Sequence, residues 1–196
     1  MYNQIFTFPF KQIYAIDFEF FGADGENPQV VCMVVQDLRT GAISRYWRDQ
    51  LLEMKTPPFQ TGGDTLLLTF FASAEIQSML ALKWPTNVSV IDLFTEFRCA
   101  TNGNPDVGRK GLINALAYYQ LDHLIPEQKD AMRALTLSGG PWSEDQKQAI
   151  LDYCTEDVVA LAPLLDVMLS ENPWTELQLN QAQLRGRYMK AVGMMQ

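Results

Sequence analysis

The order of predicted elements describes an α/β fold, a mixed sheet covered by helices. Three observations carry this expectation. Apolar runs of strand length stand ahead of the first helical pattern, two of them are joined by a hairpin signal, and strands then alternate with helical patterns. The chain has 196 residues, 47% of them hydrophobic, enough for one α/β domain with a sizeable core and tight for two.

The elements follow in order. IYAIDFEF (13–20) is rich in β-branched and aromatic residues and reads as a buried strand interrupted by two carboxylates. GADGENP (22–28) is a turn. VVCMVVQDL (30–38) and AISRYWR (42–48) are strands, and the short Thr-Gly between them marks a hairpin. TPPFQTGGD (56–64) has the Pro and Gly density of a loop, and TLLLTFF (65–71) is a strand-length apolar run. Ser73 offers an N-cap for a helix over 74–82. VSVID (88–92) is a short strand and LFTEFR opens a helix. A loop over 99–111 precedes helical patterns at 112–119 and 126–135. After the break SGGPW (138–142), Ser143 and Gln146 form a capping box that starts a helix at 144 and carries it through the 160s. Pro163 inside that pattern predicts a kink or an early end. Beyond NPW (172–174) the tail is polar and helical.

Composition restricts the functional classes. With 23 acidic and 15 basic residues the formal charge is −8, which argues against gripping nucleic acid by bulk electrostatics. It leaves room for an enzyme that meets phosphate through bound cations, because such ions invert the local charge logic. Cys32, Cys99 and Cys154 are sparse, odd in number and form no C-x-x-C pair. They suit reduced thiols better than disulfides or a zinc site. No secretory signal and no apolar run of about 18 residues is seen, so a cytoplasmic protein without a membrane span is expected.

Two motifs carry chemistry. Asp17 and Glu19, at i and i+2 of a strand, point to the same face. Burying unpaired charges there is costly, and a hard divalent cation with oxygen ligands is the natural compensation. A strand end with one solvated face accounts for the pair equally well. Tyr153 and Asp157, at i and i+4 of a helical pattern, stand side by side near its apolar stripe. Taken alone, they are explained by a half-buried Tyr and a solvated Asp on an amphipathic helix.

Together, D-x-E in the first strand and Y-x-x-x-D much later resemble the DEDD exonuclease superfamily. The Tyr marks its DEDDy branch, which includes the proofreading domains of family A and B DNA polymerases. The branch with a His five residues before the final Asp is excluded, since Asp152 stands there. The lone histidine, His123, is read as a surface loop residue. The resemblance implies a ribonuclease H-like fold, a mixed five-stranded sheet flanked by helices. It also requires another acidic residue after the fourth strand, where this chain has Glu75 in place of the family's Asp. Asp92 is the rival, but it matches a downstream Asp that is structural in the family, so Glu75 is assigned to the metal site.

On this resemblance Asp17, Glu19, Glu75 and Asp157 hold two divalent cations, Mg²⁺ or Mn²⁺. Asp17 bridges them, Glu19 and Asp157 complete one shell, and Glu75 acts through the water shell of the other. Tyr153 orients the attacking water, because a phenol of pKa about 10 is a poor base at neutral pH. The implied reaction is 3′→5′ removal of nucleoside 5′-monophosphates from a single-stranded or frayed DNA 3′ end, in proofreading or end-trimming. Arg98, Arg109, Lys110, Trp142 and the Phe residues beside the first motif are candidates for contacting bases. Core packing is the expected role of most of the Phe residues. Residues 1–175 are the expected exonuclease domain, and 176–196 resemble the segment that joins such a domain to a polymerase module. Two alternatives remain open: an RNA-trimming ribonuclease D-like exonuclease, and an inactive relative serving as a nucleic-acid-binding or structural module.

Overall fold

The structure is a computed structural model that describes residues 5–22, 26–105, 107–108, 111–122 and 126–195. Its sheet contains β1 (Gln12–Phe21), β2 (Gln29–Asp37), β3 (Ile43–Trp47), β4 (Thr65–Thr69) and β5 (Ser89–Asp92). The strand order is β3-β2-β1-β4-β5. The first three strands pair antiparallel, while β4 runs parallel to both β1 and β5. The sheet is therefore mixed, and each predicted strand is present within a residue or two.

Burial explains why these segments are strands. β2 is buried at every position from Val30 to Gln36 and β4 along its whole length, as expected of strands covered on both faces. The hairpin between β2 and β3 is closed by Asp37, whose Oδ1 accepts from the N–H groups of Arg39 (2.8 Å) and Thr40 (3.3 Å). Gly41 completes the turn at φ +79°, a conformation costly for a residue with a Cβ.

The sheet divides two cores. Tyr14, Ile16 and Phe18 of β1 pack with Ala72, Ile76 and Met79 of α2 (Ala72–Ala81). Ile13 and Ala15 face the other way, onto Ile150, Cys154, Val158 and Leu161 of α6 (Glu144–Glu171). The remaining helices are α1 (Arg48–Glu53), which the sequence reading leaves unassigned, α3 (Leu93–Ala100), α4 (Leu112–Tyr118), α5 (Pro126–Leu137) and α7 (Glu176–Met195).

Two local expectations need correction. Helix α2 begins at Ala72 with Phe71 at its N-cap, whose side chain makes no capping hydrogen bond. Ser73 instead lies buried in the first turn, under α7, whose Gly193 admits the close approach: a Cβ there would stand 2.5 Å from the Ser73 carbonyl oxygen. Helix α6, capped by Ser143 and Gln146 as expected, does not end at Pro163 but continues to Glu171. Proline in a helix interior costs about 3 kcal/mol, and burial of Leu161, Ala162, Leu164 and Leu165 around it offsets that loss. His123, Arg109, Lys110 and part of the turn at 22–28 lie outside the described residues.

Residues 176–195 form α7, which packs on α2 and β5. Arg185 donates to both Glu96 oxygens of α3 at 2.7 and 2.6 Å. Gly186 brings the helix backbone against β5 so closely that a Cβ would stand 1.9 Å from the Val90 carbonyl oxygen. Gly186→Ala is therefore expected to destabilise the fold by on the order of 1–3 kcal/mol, read as a lowered melting temperature. An unchanged melting temperature would show that α7 is not seated this tightly.

Candidate active site

The alternation of β1 turns Asp17 and Glu19 toward the face covered by α6. On α6, Tyr153, Cys154 and Asp157 meet that face. Asp17, Glu19 and Asp157 each present a carboxylate oxygen, all within 4.8 Å of one another. The Cys154 thiol donates to Asp17 Oδ2 at 3.3 Å, and Lys129 of α5 donates from Nζ to Asp157 Oδ2 at 3.0 Å. The same ammonium stands 5.5 Å from the centre of the Tyr153 ring.

Glu75 reaches the cluster from the opposite layer. The pairing of β1 with β4 ends at Ala15 and Leu68, so the later part of this edge of β1 is open. The Phe18 N–H stands near the Glu75 carboxylate there and partly offsets the upward push on its pKa. Glu75 is only 4% exposed, lies outside the 4.8 Å triad, and its Oε2 has no hydrogen-bond partner among the described residues. Asp92 is fully buried but otherwise employed. It accepts from Phe94 N at 3.0 Å and Thr95 Oγ1 at 3.2 Å, capping α3, and the Ala72 N–H at the start of α2 stands near it.

The electrostatics follow from crowding acids away from water. Burial, then the charge of Asp157, pushes Asp17 up to about 7. Burial, then Asp17 and Asp157, raises Glu19 well above the usual carboxylate range, partly offset by Lys129 and by Thr136 of α5. Burial, then Asp17 and Glu19, does the same to Glu75. Burial raises Asp92 to about 7. The Tyr153 phenol is driven far above its ordinary value, first by burial and then by Asp157, so it stays protonated and serves as a hydrogen-bonding group.

A buried orphan oxygen on Glu75 beside three converging carboxylates fits hard divalent cations, whose ligands are oxygens. The donor set is carboxylate oxygen and does not suit zinc, which favours His and Cys ligands: the Cys154 thiol beside it is occupied as a donor and is pushed up by burial.

Next to the acids opens a cleft of about 390 Å³ that Phe70, Phe71, Phe94 and Leu112 line together with Asp17, Glu75, Lys129 and Asp157. Phe71 is 45% exposed and meets Phe94 edge-on at 5.1 Å, while the Arg98 guanidinium lies 5.4 Å from the Phe94 ring centre. This gives the cleft an aromatic wall with a cation behind it. Lys129, Phe71 and Phe94 are absent from the sequence-based candidates. The paired Phe residues leaving strand β4 just ahead of Glu75 were the available signal. Trp142 is not in this cleft; it packs against Phe21 and Trp47 at 6.1 and 5.6 Å. Phe18 is a core residue whose ring lies tilted beside Trp84, as expected for most of the Phe residues.

No sequence-family profile and no curated protein matches the chain, whereas solved structures do. A nuclease in its apo form aligns over 95% of this chain and 84% of its own, with a TM-score of 0.64 at 17% identity. Brucella melitensis NrnC bound to pGG aligns over 93% of this chain and 83% of its own, with a TM-score of 0.60 at 17% identity. The family B DNA polymerase of the hyperthermophilic archaeon Pyrobaculum calidifontis aligns over 93% of this chain and 27% of its own, with a TM-score of 0.51 at 13% identity. The alignment over nearly the whole of this five-stranded mixed sheet and its flanking helices shows that the chain has the ribonuclease H-like fold.

Proposed function

We propose that this chain is a divalent-metal-dependent 3′→5′ exonuclease of the DEDDy type, acting on single-stranded or frayed DNA ends and releasing nucleoside 5′-monophosphates. The observation that carries the reading is the convergence of Asp17, Glu19, Asp157 and the orphaned Glu75 from three elements beside an aromatic cleft. Asp17, Glu19, Glu75 and Asp157 would hold two Mg²⁺ or Mn²⁺ ions, which supply a lowered water pKa and neutralise charge on the phosphoryl group. The fold likeness to NrnC, which has also been solved with bound Mg²⁺, supports this assignment.

The chain's own groups do the rest. Tyr153, held protonated by burial and by the neighbouring Asp157 charge, orients the attacking water. Phe71 and Phe94 offer faces and edges on which an unstacked terminal base can rest, as aromatic walls do for single strands. The same cleft is lined by the Asp17, Glu75 and Asp157 carboxylates, which brings a base resting on it close to them. Proofreading beside a polymerase module, in this chain or a partner, is the biological setting favoured by the polymerase-like fold. A second reading, trimming of very short RNA, is favoured by the likeness to NrnC bound to pGG. Among the described residues no helix is long and apolar enough to cross a membrane.

The test is digestion of 5′-labelled single-stranded DNA, RNA and the dinucleotide pGG, with Mg²⁺, Mn²⁺ or EDTA. Stepwise shortening of DNA from the 3′ end that stops in EDTA is the expected result. Preference for pGG or RNA would select the second reading, and no cleavage of any substrate would leave a binding or structural module. In the same assay Tyr153→Phe is expected to slow cleavage by about 10–100-fold without loss of metal binding, since it removes one positioning hydrogen bond. An equally fast variant would reduce Tyr153 to packing.

A further inference from the structure

Helix α5 presents one stripe to the carboxylates: Lys129 reaches Asp157 and Thr136, at i+7 on the same face, lies beside Glu19. The rest of α5 is largely exposed, and it packs on α6 and β1. Lys129 Nζ is bonded to an Asp157 oxygen at 3.0 Å, and its charge also acts on Asp17 and Glu19. Its side chain retains 26% exposure, so its flexible stem has a short route to water. A primary ammonium and a divalent cation both seek the same acidic oxygens, and at contact distance the two cations repel.

We propose that Lys129 is the built-in counter-ion of the carboxylate cluster and competes with divalent metal for it. Metal affinity is then set by how readily this one side chain is displaced. The inference rests on the reading of Asp17, Glu19, Glu75 and Asp157 as metal ligands. Lys129 lets the acids stay close before metal arrives, and it keeps the intrinsic affinity for the ion low. A site so weakened depends on extra ligands from substrate phosphate, which is how Mg²⁺ is commonly held.

The experiment titrates Mn²⁺ into the full chain, stripped with EDTA, by calorimetry and electron paramagnetic resonance. Lys129→Met should bind Mn²⁺ about tenfold more tightly than wild type, because one positive charge leaves the site. Its metal-free form should melt lower, and Mn²⁺ should raise its melting temperature by more. Lys129→Arg, which keeps the charge, should behave as wild type. So should Lys147→Met, which removes a charge lying over Trp47 outside the cluster. Lys129→Gln keeps a donor to Asp157 without the charge and should tighten binding in the same way, which also covers the case of a misfolded Met variant. Unchanged or weaker Mn²⁺ binding by folded Met and Gln variants overturns the proposal. If that binding is still lost in Asp17→Asn, the metal site itself stands. No Mn²⁺ binding by wild type or by any Lys129 variant overturns both.

Discussion

Asp17→Asn is expected to lower cleavage by on the order of a thousandfold or more, since charge stabilisation by a bound metal is worth several kcal/mol. The same change should raise the melting temperature of the metal-free protein. The sign follows from the titration of the wild-type group. Folding lifts Asp17 from 3.8 to about 7, so the folded chain holds this proton more tightly than the unfolded chain. The stability it contributes is fully present below about pH 4 and is lost as pH rises toward 7. Metal-free wild type should therefore melt higher at pH 5 than at pH 8, and Asp17→Asn should flatten that slope. Saturating Mn²⁺ should oppose it, because the ion binds the carboxylate form. Asn keeps an oxygen for the Cys154 thiol, so lost activity would not reflect a broken contact beneath the site. Cleavage within tenfold of wild type would remove Asp17 from the reaction, and a melting curve indifferent to both Mn²⁺ and pH would remove the metal site.

The second large effect separates Glu75 from Asp92. Glu75→Gln is expected to cost on the order of a hundredfold or more in cleavage while leaving the metal-free fold as stable or more so. The variant replaces a buried acid whose Oε2 has no partner among the described residues. Glu75→Asp should retain part of the activity. Asp92→Asn should keep most of it, because Asn preserves the acceptor that caps α3 at Phe94. Its cost should appear mainly in stability, since Asp92 also accepts from the Thr95 hydroxyl. An inactive Asp92→Asn beside an active Glu75→Gln would move the catalytic carboxylate to Asp92.

What sequence alone determined about this protein was local. A period of two places Asp17 and Glu19 on one face of β1, and helical spacing places Tyr153 beside Asp157. The Ser143–Gln146 capping box starts α6 where it was expected. These facts follow from backbone geometry within a few residues, so they can be read without knowing what lies opposite. The absence of an early end at Pro163 shows the limit of such rules: a helix interior breaker is overridden when the side chains around it are buried. Tertiary structure alone decided that Glu75 passes the open edge of β1, that Lys129 arrives from 28 residues before Asp157, and that Phe71 and Phe94 share one wall. It also made α7 part of the packed body through the backbone contact at Gly186. Each of these depends on how far one strand outruns its neighbour, or how closely two elements approach. Such distances are set by the packing of the whole core and leave no periodic trace along the chain.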